Sequence, residues 1–319
     1  MMMGRQNSSK GSYQNKDTHE EDISFSCKME SIKELVTVLQ CLQLNSGGKG
    51  QICQCQVDEA GFTFISVGRS KFTMAQAIIK GILFEAYQID EENISFGINL
   101  STFVECLQIN GTSTLATTSV GMSFLPETSI FKMTLEDQEG IFTSCEINTV
   151  DDDGHLEFEA FAEEYQQYAE VCSVILKSVH FRDVISEMND IPGAADVLVY
   201  LNAECFRLLV SGPLNSSEFE LPSKSSELFV HFECKEEEVQ WSYSIIALTD
   251  AMKALHSADE TYIRINEQGV MCIQHQIKLT TENIFIDYLI CANEIDDAAY
   301  DANATQSDGG GDQDTDSHT

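Results

Sequence analysis

Asp151, Asp152, Asp153, Glu157 and Glu159 form the densest group of carboxylates in the chain. Side chains of this type, clustered, are what a two-metal nuclease uses to hold its ions against a phosphodiester. Only His155 stands beside them, and no Lys or Arg occurs between Val150 and Glu164. The run therefore reads as a solvated acidic connector rather than a rigid metal cradle. An EF-hand loop fails at both ends: with Gly154 at its sixth position, Thr149 falls at the first and Ala160 at the twelfth. Gly47-Gly48-Lys49-Gly50 is no phosphate-binding loop, because Gly50 stands where Ser or Thr is required and Gln43 where the first Gly is required. Cys53-Gln54-Cys55 puts two thiols on one face of a strand, whereas zinc knuckles need C-x2-C and a second pair. No nucleophile–base arrangement follows from the spacing of Ser, Cys and His. The expectation is a chain without catalytic residues, metal or cofactor.

Composition points the same way. The 319 residues hold 18 Lys+Arg against 52 Asp+Glu, a net charge of -34. That excludes a basic nucleic-acid binder, so any polyanion must be met by a local basic surface. A hydrophobic fraction of 43% suffices for a core and is too high for a disordered chain. No apolar run reaches the length that spans a bilayer, so no membrane is expected. The 11 Cys are irregularly spaced, and residues 1–22 carry no apolar signal segment. Reduced thiols in a nuclear or cytosolic protein are the expectation. Met3 to Ser8 would read as a myristoylation start only if translation began at Met3.

The elements that must position any function follow from periodicity. Residues 1–22 read as a disordered arm, followed by a strand at Ile23–Cys27. Apolar residues at Met29, Ile32, Leu35, Val36, Leu39 and Leu42 predict a helix. Strands are predicted at 50–57, 62–67, 75–79, 84–88 and 94–98, with Asp58-Glu59-Ala60-Gly61 as a hairpin turn. Asn99 should cap a second helix reaching Gly111. Strands near 114–120, 129–135 and 141–147 lead into the acidic connector, 150–164.

The pattern then restarts. A helix is predicted over Tyr168–Val179, from Val171, Val174, Ile175 and Val179. Strands follow at 197–201, 206–210, 219–221, 228–234 and 241–246, then a helix over Ala247–His256 and strands at 262–265, 271–277 and 284–290. The second half thus repeats the first at an offset of about 140 residues, with Phe62–Val67 matching Phe206–Val210. The expectation is an α+β chain of two tandem domains, 23–149 and 165–292, each with two helices on one face of antiparallel sheets, and a disordered acidic tail, 293–319. Strand edges left open at the ends of such an arc call for other subunits to cover them, which points to a ring.

Several segments in this order resemble the Rad-one family, one subunit of the heterotrimeric nine-one-one checkpoint clamp. They are 93–107 (NISFGINLSTFVECL), 143–149 (TSCEINT) with the acidic run after it, 77–84 (AIIKGILF) and 181–188 (FRDVISEM). The resemblance spans roughly residues 23–292. It implies a PCNA-like DNA clamp fold, two homologous partner subunits, and a dedicated loader that places the ring around double-stranded DNA without sequence reading. It also implies a nuclear site of action, signalling through checkpoint kinase activators and recruitment of repair enzymes. The family also carries an alternative reading, a metal-dependent 3′–5′ exonuclease on the same scaffold.

In such a ring the helices face DNA. The candidate phosphate contacts are Lys33, Lys177, Arg182, Lys253 and His256, a thin set beside Glu105 on the second helix. Subunit contacts are expected at two edge strands, through Ile141, Phe142 and Ile147 at one end and Phe219 and Leu221 at the other. Leu44, Ile52, Leu156 and Phe158 are the expected lining of a partner pocket beneath the connector.

Overall fold

The computed structural model describes residues 23–44, 50–68, 73–91, 94–151, 154–279 and 281–293, with the side chains of 154–157 excepted. The predicted N-terminal arm, nearly all of the acidic tail, and the Gly47–Lys49 segment lie outside the described residues. So do Asp152 and Asp153 and the side chains of His155, Leu156 and Glu157.

The first half runs β1 (Phe25–Met29), α1 (Lys33–Cys41), β2 (Ile52–Val57), β3 (Gly61–Val67), β4 (Thr73–Lys80), β5 (Ala86–Ile89), β6 (Ile94–Asn99), α2 (Leu100–Leu107), β7 (Ser119–Leu125), β8 (Ile130–Glu136) and β9 (Phe142–Asn148). A helix α3 (Gly154–Gln167) follows. The second half runs β10 (Glu170–Lys177), α4 (Ser178–Asn189), β11 (Asp196–Leu201), β12 (Cys205–Ser211), β13 (Ser216–Pro222), β14 (Phe229–Cys234), β15 (Val239–Ser244), α5 (Ile245–Ala251), β16 (Glu260–Asn266), β17 (Met271–Ile277) and β18 (Ile284–Ile290). The chain is thus a mixed α/β protein dominated by antiparallel sheets, and its strand-and-helix order repeats between the halves.

Three sheets form. β5-β1-β7-β8-β9 makes one, β13-β12-β11-β15 another, and nine strands, β14-β10-β16-β17-β18-β4-β3-β2-β6, make the third. The nine-stranded sheet is continuous across both halves because β18 pairs antiparallel with β4, Tyr288 opposite Ala75. Aromatic side chains fill the space between the five-stranded sheet, the first-half strands of the nine-stranded sheet and α2: Phe96 stacks on Phe124 at 4.3 Å, and Phe131 meets Phe62, Phe96 and Phe103. Burying each such ring contributes about 2–3 kcal/mol, offset in part by side-chain ordering. The helix ends of the two halves also touch. The buried Tyr288 hydroxyl donates to the Cys41 carbonyl at 2.8 Å, and Lys253 Nζ donates to the Gln43 carbonyl.

Two segments depart most from the sequence reading, besides residues 112–117, which form a 3-10 turn before β7 where a strand is expected, and α2, which ends at Leu107 short of Gly111. The span read as a helix over Tyr168–Val179 is the strand β10, and the helix α4 begins at Ser178. Val171, Cys172, Ser173, Val174 and Leu176 are all buried. A strand buried on both faces gives a near-continuous apolar run, which periodicity cannot separate from a buried helix. In the element order, β10 and α4 stand in the second half where β1 and α1 stand in the first. The acidic connector is the second departure. It is helical from Gly154, and Phe158 and Tyr165, seven residues apart, turn the same face into a small cluster with Ile65, Met74, Cys272 and Leu289. Leu, Ala, Glu and Gln, all good helix formers, supply most of the rest of that segment.

One buried polar chain locks the second half. Ser178 Oγ donates to Thr261 Oγ1 at 2.9 Å, Thr261 Oγ1 to His275 Nδ1 at 2.9 Å, and His275 Nε2 to the Ala251 carbonyl at 2.6 Å. The carbonyl can only accept, so the His275 proton sits on Nε2 and the direction of the chain is fixed. Burial pushes the His275 imidazole down to about 4, partly opposed by the bond to Ala251. The unfolded imidazole binds its proton below about 6.5. The folded state therefore binds fewer protons than the unfolded one between these values. The stabilisation is complete above pH 6.5 and falls by about 3 kcal/mol as the pH drops to 4. Melting wild type and His275→Gln from pH 7 to 4.5 should give a steeper loss for wild type; parallel pH slopes would contradict this.

Candidate functional site

β9 is one outer strand of the five-stranded sheet and β13 one outer strand of the four-stranded sheet, so each has a neighbouring strand on one side only. Their exposure alternates in the same way along seven residues, with only the sixth residue buried. The β8–β9 turn sets how β9 starts. Asp137 Oδ1 accepts from the Glu139 and Ile141 N–H groups, both at 2.9 Å, and Gly140 takes φ +75°, a conformation glycine adopts without strain. This turn holds Ile141 and Phe142 in solvent; Phe142 is 66% exposed. Thr143 Oγ1 donates to Asn110 Oδ1 at 3.2 Å, tying β9 to the segment after α2, where Ile109 is exposed.

Of the predicted edge residues, Ile141 and Phe142 face out, while Ile147 and Leu221 are core. Phe219 packs half-buried against the core. The charged side chains of β13 are both acidic and exposed. Glu218 and Glu220 bind Arg207 on β12 at 2.9 and 2.8 Å, and Arg207 lies 5.1 Å from the Tyr200 ring centre. Ile109 was legible as apolar but not as exposed, because the helix read as far as Gly111 ends at Leu107 and leaves Ile109 beyond it.

The candidate DNA-facing groups fall into two kinds. Lys33, in the first turn of α1, and His256, in a 3-10 turn after α5, are exposed. Lys177 moves from a helix to the end of β10, where its ammonium donates to the Ser226 carbonyl at 3.1 Å. Arg182 on α4 donates to the Leu255 carbonyl at 3.0 Å and is half-buried. Lys253 binds Asp250 Oδ1 at 2.9 Å, and that carboxylate is wholly buried. The cationic groups of Arg182 and Lys253 therefore serve packing contacts between elements.

Of the candidate pocket residues, Leu44 and Phe158 belong to different clusters. Leu44 is in the main core, where its N–H donates to Gln51 Oε1 at 3.1 Å. Ile52 is half-buried at the start of β2, and the Leu156 side chain lies outside the described residues. Phe158 lines a cleft of about 470 Å³ between α3 and the sheet, beside Tyr165, Glu170, Arg264, Gln274 and Asp287. About half of that lining is polar. Gln274 Nε2 donates to Asp287 Oδ1 at 2.7 Å, and burial pushes the Asp287 carboxyl up. Arg264 bonds Glu170 at 3.3 Å and lies over the Tyr262 ring.

Among the described residues no group of three or more His, Cys, Asp or Glu is arranged to hold a metal ion. Asp151 and Glu159 are both exposed. No helix of the described residues is long and apolar enough to cross a membrane.

Residues 24–277 match the family described as Repair protein Rad1/Rec1/Rad17. The chain belongs to this Rad1 family. The three-sheet architecture, antiparallel with few helices, is consistent with a PCNA-like clamp. Among its relatives, the Homo sapiens protein named Cell cycle checkpoint protein RAD1 is 25% identical over 277 residues, 86% of this chain and 94% of that protein. The Caenorhabditis elegans RAD1 homolog mrt-2 is 24% identical over 250 residues, 78% of this chain and 87% of that protein. The Schizosaccharomyces pombe DNA damage checkpoint control protein rad1 is 22% identical over 274 residues, 78% of this chain and 80% of that protein. The segments that carried the sequence resemblance fall within the matched Rad1 span.

Proposed function

We propose that this chain is a non-catalytic subunit of a heterotrimeric, ring-shaped DNA-damage checkpoint clamp acting in the nucleus. On this reading its two halves are tandem clamp domains joined by α3, and two homologous subunits complete the ring. The observation that carries it, given membership of the Rad1 family, is the pair of unsaturated edges β9 and β13 on different sheets. Two such edges on one chain let it pair with a different neighbour at each end, through main-chain hydrogen bonds and alternate side chains. A dedicated loader places the ring on double-stranded DNA, where it recruits repair enzymes and activators of the checkpoint kinase.

Retention on DNA is then topological. With an overall charge of -34, and with Arg182 and Lys253 engaged inside the protein, this subunit adds little salt-dependent affinity. The assembled ring loaded on circular DNA should persist through high salt and be released when the circle is cut. Salt-sensitive release from the intact circle would contradict the reading. The alternative, an exonuclease, predicts cleavage of the DNA in the same magnesium-containing mixtures; intact DNA is expected.

A further inference from the structure

We infer that Cys172 and Cys234 are an oxidative modification site, a thiol pair that hydrogen peroxide converts reversibly to a disulfide at the margin of the nine-stranded sheet. The two residues lie directly opposite each other on β10 and β14. Beside them the Lys235 N–H donates to the Val171 carbonyl at 2.9 Å. Hydrogen-bonded and non-hydrogen-bonded pairs alternate along an antiparallel ladder, so Cys172 and Cys234 occupy a non-hydrogen-bonded pair. Such pairs bring Cα atoms to about 4.5 Å, inside the span a disulfide bridges. Their sulfurs are 3.0 Å apart. Cys53 and Cys55 offer no such geometry, since they sit two residues apart on one strand and their thiols contact the Gln54 and Cys53 carbonyls.

Access differs between the two thiols. Cys172 is buried, while Cys234 is half-buried on the outermost strand of the sheet. Burial also pushes the Cys172 thiol up, with the neighbouring Cys234 adding to the effect. Cys234 is therefore the group that meets the oxidant. Its thiolate attacks one peroxide oxygen, the O–O bond breaks, and a sulfenic acid and water result. Cys172 then attacks that sulfur, its proton leaves with the hydroxyl as a second water, and the S–S bond forms. Two thiols and one hydrogen peroxide give one disulfide and two waters. The link joins residues 62 apart and closes a loop holding α4 and β11 to β13. A loop of that length loses much unfolded-state freedom when closed, so the oxidised protein should melt about 5 °C higher or more.

The test treats the full chain with hydrogen peroxide, blocks remaining thiols by alkylation, digests without reductant and maps the peptides by mass spectrometry. The expected result is a 172–234 linked peptide lighter by two hydrogens, lost on adding dithiothreitol, together with the raised melting temperature. In Cys172→Ala, dimedone should trap a sulfenic acid at Cys234; in Cys234→Ala, Cys172 should stay alkylatable. The inference is overturned if both thiols remain alkylatable in the treated folded protein. It is equally overturned if Cys234 oxidises onward to sulfinic or sulfonic acid without the link, or if the link forms only in denatured chains.

Discussion

Lys253→Met is expected to destabilise the protein by about 3 kcal/mol, the low end for removing one partner of a buried ion pair. Asp250 is wholly buried on α5, and the Lys253 ammonium is bonded to it at 2.9 Å. The same ammonium donates to the Gln43 carbonyl, just beyond α1, so it also joins the helix layers of the two halves. Deleting the cation leaves a carboxylate desolvated beside a carbonyl. The Lys253 side chain is 28% exposed, so water screens part of the interaction, which is why the low end applies. The Asp250→Asn/Lys253→Met double variant, which removes both charges, should recover most of the loss, because the cost of the single variant is the loss of the cation facing a buried carboxylate. Urea unfolding of the three proteins checks this. A Lys253→Met protein of unchanged stability but weakened DNA retention would instead return Lys253 to the DNA-facing role read from the sequence.

Phe142→Asp is expected to reduce assembly with the partner subunits by at least about 30-fold while leaving the isolated chain folded. An aromatic anchor at the centre of an interface commonly contributes 2 kcal/mol or more, and an unpaired carboxylate in its place adds a desolvation cost. Phe142 is 66% exposed and contributes little to the core, so the melting temperature of the isolated chain should not move. Ile147, on the same strand, is the contrast: it is 6% exposed, and Ile147→Asp should unfold the chain. Phe219→Asp should affect both folding and assembly, since that ring is half-buried against the core. Binding titrations and melts on the three variants separate the effects. Full assembly by Phe142→Asp would remove β9 as a contact strand.

Much of the fold was legible because most elements carry local signals. Asn99 capped α2 as its side-chain chemistry dictates, with Oδ1 accepting from the Thr102 N–H at 2.9 Å. The edge strands were legible from their alternation and flanking turns. β10 was not, because Val171 to Leu176 is apolar on both faces and carries no strand period. α3 was obscured by charge: seven acidic residues from Val150 to Glu164 overshadowed the spacing of Phe158 and Tyr165. The basic residues were the least legible. Sequence shows that Arg182 and Lys253 are charged, but their partners, the Leu255 carbonyl, Asp250 and the Gln43 carbonyl, come from other turns and elements. Only Asp250, three residues before Lys253, left a trace in the sequence, as an i,i+3 pair. The separation of Leu44 from Phe158 was hidden for a similar reason, since nothing local places them in different clusters.

The most direct test of the clamp reading is the molar mass of this chain, alone and mixed with two homologous clamp subunits, by light scattering after gel filtration. A monomer that becomes a 1:1:1 complex in the mixture is the predicted result. A chain that stays monomeric with both partners present, or that closes into a trimer by itself, would contradict it.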